Sequence, residues 1–310
     1  MITGLMAGVL WGLDTVILGI ALASTKFVST SEAIMLAPFV STFLHDFCSS
    51  IWMLIYMGIK KEYKNVVIAL KTKSGKFIVL GALLGGPIGM SGYVAAINYI
   101  GPSLTAIISA LFPAVGAFFS YLFLKEKMKP YQILALLVSI LGVIGLGYTP
   151  NGQVENLYLG IGCALICVIG WSLEAVICAY GMKDPNVNDE QALQIRQLTS
   201  AIFYGVVIIT LLSGWDFTFQ VAITPSLIAT ITASALFGTA SYLCYYKAIN
   251  KIGASKAMAL NITYCAWSIV FSMIFLQTMP DLKSICFGLV IIFGSIIAAT
   301  DLKTMFKKSK

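Results

Sequence analysis

Ten apolar runs account for almost the whole chain, and no other feature restricts its fold so severely. A hydrocarbon layer about 30 Å thick takes roughly 20 apolar residues to cross as a helix. Inside lipid every backbone N–H and C=O must be satisfied within the spanning element, which leaves helices or closed barrels. The runs fall at about 2–22, 32–59, 77–98, 102–124, 130–148, 157–180, 191–213, 225–249, 254–276 and 284–302. They are too long for barrel strands, so the expected fold is an all-α membrane protein with ten transmembrane helices. Composition agrees, with 59% hydrophobic and 11% charged residues. Gly-Pro and Asn-containing punctuation separates the runs, as at Gly101-Pro102 and Thr149-Pro-Asn-Gly152.

The formal net charge of +7 belongs to the loops. Cytoplasmic loops carry the Lys and Arg excess. The stretch from Lys60 to Lys76 holds six lysines, the next even loop carries Lys125, Lys127 and Lys129, and the tail carries Lys303, Lys307, Lys308 and Lys310. Odd loops hold only Lys26 and Lys283. Both termini are therefore expected in the cytoplasm. The 183–190 loop runs weakly against this, with Lys183 beside Asp184, Asp189 and Glu190. No basic face with interleaved aromatics appears, so nucleic acid is not an expected partner. The seven cysteines lie in apolar runs without metal spacing and read as small buried hydrophobes.

The chain is written twice. Ala96-Ile-Asn98-Tyr-Ile-Gly101-Pro-Ser103 returns as Ala248-Ile-Asn250-Lys-Ile-Gly253-Ala-Ser255, and the register continues from Ser120–Leu124 to Ser272–Leu276. Halves of five helices, 1–150 and 151–310, follow. Five is odd, so the second half enters the membrane from the opposite side. Inverted repeats of this kind place a substrate site near the midplane between them.

A second duplicated phrase lies where that site would be. Trp11-Gly-Leu-Asp14 and Trp171-Ser-Leu-Glu174 each put an aromatic ring and a carboxylate on one helical face. Ionisable groups within a span are rare and face a partner or a cavity. Inversion lets the two tryptophans face each other, with Asp14 displaced outward and Glu174 inward. Tyr242 with Tyr245 or Tyr246, and Tyr264 with Trp267, fall at helical spacing on the eighth and ninth runs, with Asn261 one turn below Tyr264. Rings with an acid among them suit a cation, and best a quaternary ammonium, which has no N–H to satisfy. The alternative for each ring is ordinary packing or an interfacial belt.

Asp14 has three readings: protonated, hydrogen-bonded to a neighbouring helix, or used for coupling. His45-Asp46, holding the only histidine, either relays protons or ties two helices. Arg196, the only arginine, pairs with Asp189 or Glu190 or balances a buried acid. Gly85-Gly-Pro-Ile-Gly89 and Phe112-Pro113 interrupt the third and fourth runs, so they are expected at a hinge or cavity wall. A phosphate-binding loop, a His-rich metal motif and a Ser-His-Asp set are all missing from the sequence, so neither an ATP-driven pump nor a hydrolase is expected. No metal or cofactor is expected.

The five-plus-five pattern, with Ile97-Asn-Tyr-Ile-Gly-Pro-Ser103 leading into an apolar helix, resembles the EamA-type branch of the drug/metabolite transporter superfamily. Within it the chain is similar to the Lic-type bacterial choline permeases. The matching stretches are Phe43–Phe47, Gly85–Met90, Trp171–Glu174, Ile195–Ser200, Tyr245–Asn250 and Leu260–Tyr264 through Trp267. That resemblance implies choline import across the bacterial cytoplasmic membrane. It also implies an aromatic pocket built from Trp11, Trp171, Glu174, the eighth-run tyrosines, Tyr264 and Trp267. Asp14 has no place in the family pattern. Proton coupling through Glu174, Asp14 or His45-Asp46 is the expected energy source. Two other readings stay open from sequence: an exporter of aromatic amino acids or cationic drugs, and a channel or lipid flippase.

Overall fold

The computed structural model describes residues 1–148 and 156–300. The Thr149–Gly152 punctuation, the 150/151 boundary between halves and the four tail lysines lie outside the described residues. Among the described residues, ten helices are long and apolar enough to cross a membrane. They are α1 (Ile2–Leu22), α2 (Ser31–Ile59), α3 (Lys73–Gly101), α4 (Leu104–Leu124), α5 (Pro130–Gly147), α6 (Leu157–Gly181), α7 (Asp189–Ile209), α8 (Pro225–Ile252), α9 (Ala254–Leu276) and α10 (Leu282–Ala299). The chain is a multi-pass membrane protein. Each expected run is present, and the third is longer than 77–98 because its helix begins among the lysines at Lys73.

Local chemistry sets the ends. Thr30 accepts from Ala33 N–H at 3.0 Å to start α2, and Asn188 forms a reciprocal cap with Gln191 to start α7. Pro130 and Pro225 stand in the first turns of α5 and α8, where a missing N–H costs nothing. Asp281 caps α10 through Ser284, and those bonds hold its carboxyl below the usual carboxylate range. Part of the expected Lys60–Lys76 loop is a short helix, Tyr63–Lys71. It buries Val66 and Ala69 and leaves Lys64 and Lys71 exposed.

The backbone keeps the sequence register. Left-handed φ values occur at Lys61 and Ser213, at Gly101 and Gly253, and at Lys125 and Gln277. Within each pair the residues are 152 positions apart, the spacing of the Ala96 and Ala248 phrases. Gly101 (φ 75) and Gly253 (φ 89) turn the chain sharply from α3 into α4 and from α8 into α9, a conformation that glycine adopts without a Cβ penalty. Helix α4 is broken at Ala110 and Leu111, ahead of Pro113, and α9 is broken at the matching Ile262 and Thr263. In α3, Leu84–Met90 widens into a π-helical turn around Pro87, which has no N–H to continue the α ladder.

Packing crosses between the halves. Helix α1 lies against α8 and α9, whereas α6 lies against α3 and α4. Helix α7 packs on α2 and α3, and α5 pairs with α10. Small residues permit this closeness. A Cβ on Gly12 would come within 3.0 Å of Trp267 and the α9 backbone, and one on Gly170 would sit 2.4 Å from the Leu84 carbonyl. Large apolar side chains such as Leu134, Leu141, Ile202 and Phe293 stay exposed, as lipid-facing positions do. Where α1 and α6 enter the opposite halves, a cavity remains.

Candidate functional site

The cavity has a volume of about 390 Å³, within the size range of small-molecule sites. Its wall is a layer of rings. Trp11 on α1 and Trp171 on α6 meet with centroids 6.2 Å apart, edge to face at 67° where the duplicated phrase suggests opposed rings. Each tryptophan takes a second ring from a broken helix of the other half. Tyr264 stacks on Trp11 at 4.4 Å, and Phe112 meets Trp171 edge-on at 5.7 Å. Phe112 and Tyr264 are equivalent in the 152-residue register, and each begins the half-helix after its break. Tyr93 stacks on Trp171 at 5.5 Å, and its counterpart Tyr245 lines the cavity from α8.

Of the expected site residues, Trp11, Trp171, Glu174, Tyr242, Tyr245, Asn261, Tyr264, Asp14, His45 and Asp46 all border this one cavity. Trp267 does not. Its Cβ is pressed toward Gly12, so it serves the α1–α9 contact, because one helical turn beyond Tyr264 rotates it past the cavity edge. Tyr93, Phe112 and Arg196 join the lining without having been expected in a binding role.

The same cavity holds a chain of buried ionisable groups in which carboxylates alternate with an imidazole and a guanidinium. Asp14 accepts from Ser234 Oγ and lies 3.1 Å from His45 Nε2. His45 Nδ1 lies 3.5 Å from Asp46 Oδ1. Asp46 accepts from Ser200 Oγ at 2.5 Å and lies 3.6 Å from Arg196 Nη1. Arg196 Nε donates to Glu174 Oε1 at 2.8 Å, and Tyr246 donates to the same oxygen at 3.2 Å. The five charged residues are 4–8% exposed. Burial at this level demands partners, and each group has them.

The expected pairing of Arg196 with Asp189 or Glu190 is therefore replaced by its other reading, balance of a buried acid. Glu190 is taken by Lys60 at 2.5 Å and Tyr56 at 2.7 Å, and its carboxylate raises the Lys60 ammonium above its ordinary value. Asp14, whose role was open, is hydrogen-bonded to α8 and α2. Both His45 nitrogens face carboxylate oxygens, so the ring has an acceptor for a proton on either one.

The lining extends along α1. Thr15, Leu18, Gly19 and Leu22 carry the lining along α1 to its C-terminal end, and nothing lies within 4 Å of a Cβ placed on Gly19. Tyr245 and Tyr246 also line the cavity and are buried, and buried Met258 on α9 packs against Gly116 of α4. Glu126, in the α4–α5 turn, accepts from Ala254 N–H at 3.0 Å and from Ser255 N–H and Oγ at 3.1 and 2.9 Å. Among the described residues no cluster of His, Cys, Asp and Glu is arranged to hold a metal ion.

Comparison with known proteins adds relatives. The model of the EamA-like transporter family matches residues 1–148 and 158–300. Protein LicB of Haemophilus influenzae is 32% identical over 268 residues, 86% of this chain and 85% of that protein. An uncharacterized transporter of Clostridium kluyveri is 24% identical over 263 residues, 80% of this chain and 82% of its own length. One solved crystal structure superposes with a TM-score of 0.70 at 16% identity, covering 96% of each chain, a likeness of fold alone.

Proposed function

The chain belongs to the EamA-like transporter family, and from that premise we propose that it is a secondary carrier importing choline, or a close quaternary ammonium, across the bacterial cytoplasmic membrane. The observation that carries the reading is a ring-walled cavity with three buried carboxylates against one guanidinium and one imidazole. A trimethylammonium group loses little hydration on entering such a space and has no N–H to leave unpaired. Each well-placed ring face contributes about 0.5–2 kcal/mol toward a cation. Three or four faces, with the residual negative charge, approach the roughly 8 kcal/mol that micromolar binding needs. Resemblance to the Lic-type permeases and the 32% identity to LicB support the same substrate class.

Transport follows from the exchange of helices between two inversely oriented halves. With both termini cytoplasmic, the open end of the cavity faces outward and the Glu126 side is the closed inner gate. Choline enters between α1 and α2, settles against Trp11 and Trp171, and leaves after the halves rock about the ring layer. Proton coupling runs through Asp14, His45 and Asp46, where protonation of the imidazole changes the charge of the wall that faces the substrate.

Uptake of labelled choline into proteoliposomes tests this reading. Saturable uptake, faster with a proton gradient, is expected, with Trp171→Ala and Glu174→Gln each losing more than tenfold and phenylalanine failing to compete. Absence of uptake by the wild-type chain, or full uptake by both variants, refutes it.

A further inference from the structure

Glu174 is the acid expected to meet the substrate, yet a cation already holds it. Arg196 Nε bonds its Oε1 at 2.8 Å, and the same guanidinium lies 4.5 Å from the Tyr242 ring centre while Nη2 donates to the Tyr242 hydroxyl at 3.0 Å. A carboxylate and an aromatic face are the two contacts a substrate cation would use. Asp46 lies 3.6 Å from Nη1, so the guanidinium sits between an acid of each half. Gln197 Oε1 takes the remaining Nη1 bond at 2.8 Å and anchors the side chain to its own helix.

We infer that Arg196 is a specificity-determining residue that fixes how much positive charge the cavity accepts. This rests on the cation-carrier reading above. Three carboxylates, Asp14, Asp46 and Glu174, line the cavity with His45. Arg196 offsets one of them permanently, because a guanidinium keeps its proton. With the imidazole protonated between its two acids, the formal sum is one negative charge, matched by a single monocation. Without Arg196 the wall carries one more negative charge and favours a dication. Removing Glu174 as well restores the sum.

The test is equilibrium binding to the full-length protein in detergent of two probes, tetramethylammonium and the compact dication hexamethylethane-1,2-diammonium. The wild-type chain is expected to prefer the monocation. Arg196→Gln should shift the ratio of dissociation constants at least tenfold toward the dication, and Glu174→Gln/Arg196→Gln should return it to within threefold of wild type. Arg196→Lys, which keeps the charge without the planar fork, should hold the wild-type ratio, an outcome a merely structural arginine would not give. If Arg196→Gln does not fold, Glu174→Gln alone should move the ratio tenfold the other way. An unshifted ratio in Arg196→Gln or, where that variant does not fold, in Glu174→Gln overturns this inference alone. Binding of neither probe by the wild-type chain overturns it together with the reading it rests on.

Discussion

Replacing Glu126 with Gln should open the closed side of the protein. The wild-type carboxylate uses both oxygens at the start of α9, with Oε1 on Ala254 N–H and Oε2 on Ser255 N–H and Oγ. An amide keeps one oxygen, so whichever way it turns, its NH2 meets a donor N–H. At least one hydrogen bond is lost, about 1 kcal/mol. The negative charge at a helix N-terminus goes as well, a further 0.3–1 kcal/mol or so. These bonds join the α4–α5 turn to the α8–α9 joint, so their loss weighs on the closed arrangement of this side by about 1–2 kcal/mol. The open population should rise roughly 5- to 30-fold. A cysteine at Met258, in a background lacking the seven native cysteines, reports this through its rate of modification by a membrane-impermeant maleimide from the inner side. The rate should rise by the same factor in Glu126→Gln. Thr278, the matching position 152 residues on, has no carboxylate, and Thr278→Val should leave the rate unchanged. A rate in Glu126→Gln within twofold of the parent would refute the reasoning.

Three further outcomes follow from the same geometry. Gly85→Ala would set a Cβ 1.7 Å from Glu174 Oε2 and 2.7 Å from its Cβ, so the carboxylate must swing off Arg196 and α3 must shift from α6. Overpacking of this kind costs about 1–3 kcal/mol, seen as a fall in thermal midpoint together with at least tenfold weaker choline binding. Asn188→Ala removes the reciprocal cap of α7 and should lower stability by about 1 kcal/mol with choline affinity unchanged, read by thermal unfolding and isothermal titration. His45→Gln removes the only imidazole, which faces Asp14 from α1, Asp46 from its own helix and Arg196 beyond it. Gradient-driven uptake should lose its dependence on external pH while choline exchange at equal pH persists, and a retained pH response would exclude His45 from coupling.

Much of this was legible before any coordinates because lipid simplifies the code. Ten spans follow from run length alone, and the opposed tryptophans follow from a repeated phrase. What sequence reading missed was mostly signalled by the duplication itself. Tyr245 was singled out, and the residue 152 positions earlier is Tyr93. Tyr264 is an expected site residue, and its counterpart is Phe112, which the sequence marks with Pro113 as a hinge or cavity wall but not as a ring of the site. Both counterparts line the cavity. Helical spacing misled at Trp267, which sits on the same half-helix as Tyr264, because three residues stop roughly 60° short of a full turn and that offset carries Trp267 to the Gly12 side. Arg196 was harder. Sequence leaves it two readings, a pair with Asp189 or Glu190 or balance of a buried acid, and does not name the acid, because Glu174 lies on a helix that sequence distance does not bring near.

The two acids of the repeated phrase end in different chemistry, and helix packing is the reason. Asp14 lies where α1 crosses α8 and α2, so its oxygens meet Ser234 and His45, and its charge is answered by a group that can lose its own. Glu174 lies where α6 packs on α3 at Gly85, and Arg196 reaches it from α7 with a charge that stays fixed. The imidazole beside Asp14 is a group that exchanges its proton, and the guanidinium beside Glu174 is one that keeps it. A carrier that must bind a cation and also sense a proton gains from that separation, because loss of the imidazole proton alters the Asp14 end without releasing the fixed pair beside the rings. Substitutions at the two ends should then separate in effect. Asp14→Asn should act chiefly on the pH dependence of uptake, and Glu174→Gln chiefly on choline affinity. Equal loss of affinity in both would mean that the acids serve one site together.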